Sequence, residues 1–186
     1  MIRLSTFMPE YFNNNGDQGN LEVLSYCLNN SGSKTQIDSI PTRESDFFLV
    51  GDASFAAIQR FSSELNGLLG DLEYRLDSGL PTLLVGSSYE HLAPLLGIQL
   101  ETSDRVSAFV EEQSSVGSIF GYHNSVVSKG KFFQEGLFLG TTLFGPLLAK
   151  NPRLLTQILE ALAPEAKLQD WQIGYPQEIR DRTTFG

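Results

Sequence analysis

Few residues of this chain could do chemistry, and they are widely spaced. Gly86-Ser87-Ser88 follows an apolar run ending at Val85, which puts two hydroxyls at a strand-to-helix turn where a serine nucleophile could stand. Such a serine needs a base, and the only two histidines are His91 and His123. His91 falls four residues after Ser87 and would point along the following helix rather than towards the turn. His123 lies in Gly121-Tyr122-His123-Asn124-Ser125, where nothing in the local pattern fixes a triad. The one cysteine, Cys27, sits in a stretch of helical period and reads as a buried helix residue, not a nucleophile.

Other site chemistries find less support. The histidines and the cysteine are dispersed without ligand spacing, so no metal is expected. Gly16-Asp17-Gln18-Gly19 lacks the lysine and the length of a phosphate-binding loop, so no nucleotide cofactor is expected either. The formal charge of −9 repels phosphate backbones and anionic lipid, and no run of Lys and Arg offsets it. Nucleic acid is therefore an unfavoured partner. No apolar run approaches the ~20 residues needed to span a bilayer. The start, Met1 to Met8, is cut short by Pro9-Glu10 before it could serve as a secretory signal. With a single cysteine as well, the expectation is a cytoplasmic protein without membrane insertion.

The elements that must position these residues follow an α/β pattern, with apolar runs alternating with stretches of helical period. Strands are expected at Ile2–Met8, Lys34–Ile40, Phe47–Gly51 and Pro81–Val85. Helices are expected over Asn20–Leu28, over Ser54–Leu65 with Phe55, Ile58, Phe61 and Leu65 inward, and over Leu68–Leu76. Strand-like pieces at Arg105–Glu112, Ser118–Tyr122 and Gly136–Thr141, with little helical pattern between them, suggest an antiparallel extension. Asn151 reads as an N-cap, with Pro152 opening a helix that runs to Leu162. Residues 1–163 form the expected domain and 164–186 a tail, whose Trp171, Tyr175 and Phe185 either fold back onto the body or serve a partner.

Three segments taken in order resemble a known family. Gly16-Asp17-Gln18-Gly19-Asn20 is similar to the YGDRGN element that follows the first strand of the GatD-type glutamine amidotransferases. Residues 81–89 resemble their nucleophile turn, PVLAVCGGY, with Gly86 in place of the cysteine. Residues 140–152 resemble GTYLHGPLLPKNP, with Phe144 in place of the histidine. The resemblance runs from the first strand to the end of the helix that starts at Asn151. It implies a class I glutamine amidotransferase fold, related to the cobyric acid synthases, in which a mostly parallel sheet is flanked by helices. In such a sheet the residues after Met8, Val50 and Val85 should share one rim.

The same resemblance implies that the chemistry is gone. The family's reaction needs a thiolate, a base and backbone N–H donors for an oxyanion. Gly86 supplies no attacking atom, and Phe144 cannot accept a proton. Gly51 is kept in the oxyanion segment, but Asp52 beside it brings charge of the wrong sign for stabilising an oxyanion. Ser125 stands at the histidine of the family's GFENHGG segment. Arg105 matches the arginine proposed to grip the glutamine carboxylate, a task suited to its two parallel donors, and it equally suits an ordinary surface contact. Three readings stay open. The first is a degenerate GatD-like scaffold or regulator of a MurT-like Mur ligase in peptidoglycan precursor amidation. The second is a glutamine or amino-acid binding module using Arg105, with Gly51, Ser87 and Ser88 at the ligand. The third is a hydrolase with a relocated serine.

Overall fold

The computed structural model describes residues 1–184, so Phe185 lies outside the described residues. In chain order the strands are β1 (Ile2–Thr6), β2 (Thr35–Asp38), β3 (Phe47–Val50), β4 (Thr82–Val85), β5 (Glu101–Ser114), β6 (Gly117–Lys129), β7 (Phe132–Glu135), β8 (Phe138–Thr141) and β9 (Leu143–Phe144). The helices are α1 (Gly19–Asn30), α2 (Phe55–Arg60), α3 (Ser62–Asn66), α4 (Leu69–Asp77), α5 (Gly86–Leu92), α6 (Leu147–Lys150), α7 (Pro152–Leu162) and α8 (Asp170–Thr184). A six-stranded sheet runs in the order β2-β1-β3-β4-β8-β7, parallel except for the β7–β8 pair. A second, antiparallel sheet runs β5-β6-β9. This is an α/β fold with a mostly parallel sheet flanked by helices and an antiparallel sheet beside it.

The central strands are buried on both faces, as covered parallel strands must be. Phe47 and Leu49 of β3 join Leu83 and Val85 of β4 in a core against α1, α6 and α7. Phe48 and Val50 alternate with them into a second core, where Leu84 meets Ile58, Leu65, Leu72 and Leu92 of the helices on the other face. Period-two alternation thus divides each strand between two helical layers. The N-terminal ends of β3 and β4 are tied together by Arg75, whose side chain is fully buried. Its guanidinium donates to Thr82 Oγ1 at 2.9 Å and to the carbonyls of Arg43, Ser45 and Pro81 at 2.8, 2.7 and 2.6 Å. Burial lowers its pKa to about 10, while Asp46 and Asp71 oppose the shift.

Several expected elements differ in the structure. The helix expected over Ser54–Leu65 divides into α2 and α3, because Phe61 leaves helical geometry with φ −106° and ψ 20°. Phe55 does not face inward but is 75% exposed. It occupies the first turn, where side chains lean towards the N-terminus and past the packed length of the helix. Asn151 precedes α7, yet its side chain does not cap it. Instead its Oδ1 accepts from the Phe120 amide at 2.8 Å, and its Nδ2 donates to the Phe120 and Leu147 carbonyls. The pieces expected at 105–112 and 118–122 are parts of two long paired antiparallel strands of 14 and 13 residues, whereas the piece expected at 136–141 in the antiparallel extension is β8, which lies parallel to β4 in the main sheet.

Residues beyond Pro164, read as a tail, include α8, with Asp170 in its first turn and Arg182 in its last, which complements the helix dipole. Gln172 of α8 donates to the buried Cys27 Sγ at 3.0 Å, and Trp171 meets Tyr26 edge-on at 6.1 Å. Trp171 and Tyr175 remain more than half exposed and line a cavity of about 430 Å³ between α1 and α8. Among the described residues no helix is long and apolar enough to cross a membrane.

Candidate functional site

The C-terminal ends of β1, β3 and β4 converge on one rim. After β1, Met8 carries a positive φ of 39°. After β3 come Gly51 and Asp52, and after β4 comes Gly86, with φ +59° at the head of α5. Ser88 Oγ donates to the Gly51 carbonyl at 2.7 Å and so clamps the β3 and β4 ends together.

Asp52 occupies the turn. Its Oδ1 accepts from the Ser87 amide at 2.8 Å, and its Oδ2 accepts from the Asn15 side chain at 2.7 Å. A Cβ built on Gly86 would lie within 2.6 Å of Asp52 Cγ, closer than any real side chain tolerates. The carboxylate therefore fills the space that a side chain at position 86 would need and occupies the backbone donor beside it. A negatively charged oxygen already sits on the Ser87 N–H, so a second one developing there would meet repulsion instead of a free donor.

The loop over this turn is built from the Gly16–Asn20 segment. Asp17 is fully buried; its Oδ2 accepts from the Asp52 amide at 2.9 Å, and its Oδ1 has no hydrogen-bond partner. Burial pushes its carboxyl up to about 7. The Asp52 amide bond opposes that rise, the Asp52 charge adds to it, and Lys150 pulls it back. Asn20 Nδ2 donates to the Asp17 carbonyl at 2.9 Å, while its Oδ1 accepts from the Leu148 amide at 2.9 Å. Gly19 packs so tightly on Pro146 that an added Cβ would meet Pro146 Cγ at 2.7 Å. Gly51 is equally pinned, an added Cβ falling 3.0 Å from Asp17 Cβ. Gly16 holds φ +75° in the turn before them. Gly16, Asp17, Gly19 and Asn20 thus act as joints that fasten the first loop to the 140–152 segment.

Phe144 lies in β9, half-buried and paired with Tyr122, and its carbonyl accepts from Lys150 Nζ at 2.6 Å. Burial lowers the Lys150 pKa, and Asp17 works against that. Arg105 is exposed on β5 and donates to the backbone and side-chain oxygens of Asn124 at 3.0 and 3.1 Å. Both histidines bond elsewhere than to serine. His91 Nε2 is 2.9 Å from Asn66 Oδ1, and the buried His123 has Nδ1 2.9 Å from Thr142 Oγ1 with Nε2 unpartnered. Burial, helped by Lys131, lowers the His123 pKa and favours the neutral ring. Ser125 Oγ donates to Glu90 Oε1. Burial also raises the pKa of the Cys27 thiol. Among the described residues no group of three or more His, Cys, Asp or Glu is placed to hold a metal ion.

Sequence reasoning missed Asn15 and Lys150. Asn15 lies in a run of three asparagines that reads only as a turn, and Lys150 looks like a surface lysine at a helix end. The position of Asp17 four residues before Leu21, at the mouth of a helix, was the one available signal that a carboxylate is turned inward.

No family model matches the sequence, and no curated protein does. Among solved structures, a glutamine amidotransferase from Thermotoga maritima superposes with a TM-score of 0.51 at 12% identity, covering 97% of this chain and 85% of that one. A putative GMP synthase subunit from Thermoplasma acidophilum gives 0.48 at 12% identity, over 97% and 98% of the two chains. The first likeness shows a shared fold, that of a glutamine amidotransferase-like domain.

Proposed function

We propose that this chain is a non-catalytic relative of the GatD-type glutaminases, and that it serves as a scaffold or regulatory partner of a MurT-like Mur ligase in peptidoglycan precursor amidation. The observation that carries the reading is the Asp52 carboxylate on the Ser87 amide. It supports the loss of glutamine chemistry more strongly than the missing cysteine and histidine alone, because the space and the donor of the reaction are both taken. The shared fold is consistent with a glutamine amidotransferase-like domain, and the resemblance of the three segments supports the GatD kinship.

The geometry gives no comparable support to the other two readings. Arg105 is spent on Asn124, and a serine nucleophile has no histidine bonded to it. The test is to mix the chain with a MurT-like ligase and follow complex formation by light scattering together with ammonia release from glutamine. A stable complex without ammonia release is the expected result. Ammonia release would overturn the non-catalytic reading, and failure to form a complex would overturn the partner assignment.

A further inference from the structure

The carboxylate in the turn is held from behind by a second one. Asp17 contributes to no surface and to no catalytic group, yet it is sealed from solvent and its Oδ1 lacks a partner. An ionised carboxylate in that position would carry a buried charge beside Asp52, offset in part by the Asp52 amide, bonded at 2.9 Å, and by the Asn15 amide. A protonated one carries none. Two charged groups act on it: Asp52, from the loop after β3, which repels, and Lys150, from α6, which attracts. The ammonium does not neutralise the site fully, since its hydrogen bond goes to the Phe144 carbonyl.

We propose that Asp17 is a proton-operated latch on the turn: with its proton on, Asp52 stays seated on the Ser87 amide, and when the proton leaves to solvent the two carboxylates repel and Asp52 swings out. The inference rests on Asp52 being the occupant of the turn, as the non-catalytic reading does, and adds that the occupant is removable. Once Asp52 leaves, the Ser87 N–H and the Asn15 side-chain amide become two free donors on the rim, fit for an acceptor oxygen brought by a ligand or partner.

Linkage fixes the direction. The closed state holds the Asp17 proton more tightly than the open state, in which the carboxyl regains solvent and loses its repelling neighbour. Opening should therefore grow as pH rises and level off once the closed-state carboxyl has ionised, near pH 7.

The test is amide hydrogen exchange at Ser87 in the full chain, expressed as a protection factor so that intrinsic pH dependence is removed. Protection is expected to fall by up to about tenfold per pH unit from about pH 5, then level off above about pH 7. In Asp17→Asn it should stay flat. If that variant does not fold, Lys150→Met provides a second arm, because loss of the attracting charge should move the levelling point to higher pH. Protection that is independent of pH in the natural chain, or an equal fall in Asp17→Asn, or an unmoved levelling point in Lys150→Met, would each overturn the latch. No glutamine or ligase enters this measurement, so its failure would leave the non-catalytic reading standing, while ammonia release would sink that reading and leave the latch intact.

Discussion

Replacing Gly86 with alanine puts a methyl group where Asp52 already is. Two costs add. A non-glycine residue at φ +59° carries roughly 1–2 kcal/mol of left-handed strain. The new Cβ, within 2.6 Å of Asp52 Cγ, forces the carboxylate off its donors or the turn apart, an overpacking cost of about 1–3 kcal/mol. The sum, roughly 2–5 kcal/mol, should lower the melting temperature on the order of 10 °C for a chain of this size. The second cost depends on Asp52 and the first does not. In an Asp52→Gly background, Gly86→Ala should therefore cost only the strain. The assay is a double-mutant cycle by urea unfolding, with a coupling of about 1–3 kcal/mol expected. A Gly86→Ala cost under about 1 kcal/mol, or an equal cost in both backgrounds, would refute the placement of the carboxylate.

Three further outcomes follow from the structure. The Asp17 carboxyl, raised from 3.8 to about 7, contributes stability that is complete below about pH 3.8 and is lost as pH rises to 7. The stability difference between Asp17→Asn and the natural chain should accordingly shift in favour of the variant by roughly 3–4 kcal/mol across that window, measured by unfolding at several pH values. Arg75→Met should cost about 3–5 kcal/mol, because four acceptors at the strand starts lose a buried cationic donor, and a midpoint unchanged in urea would contradict the clamp. Asn20→Ala should cost about 1–3 kcal/mol by orphaning the Leu148 amide, with hydrogen exchange rising at that amide in particular.

The apolar runs made the central strands legible, because Phe47 to Val50 and Thr82 to Val85 are buried on both faces and little else in an α/β chain reads that way. The rim followed from strand direction, and the charge at Asp52 could be judged unfavourable from residue type alone. What the sequence could not convey was distance. That the Asp52 carboxylate bends onto the Ser87 amide depends on how closely the β3 and β4 ends approach, which the pairing of the two strands and the Ser88–Gly51 hydrogen bond settle together. Arg75 reads as a surface arginine on a helix of mixed character, and its burial comes from the loops it gathers. Asn151 has the identity and position of a cap, yet the backbone of Phe120, distant in sequence, competes for its side chain and wins. The polar composition of α8 hid that element, and that of β5 hid its full length from Glu101 to Ser114, since neither buries a full face.

The most direct test of the central claim is to incubate the chain with amide-labelled glutamine, alone and with a MurT-like ligase, and to follow the label by nuclear magnetic resonance. The amide signal should persist unchanged in both samples. Conversion of the label to ammonia in either one would show that a nucleophile operates beside Asp52, and the non-catalytic reading would fail.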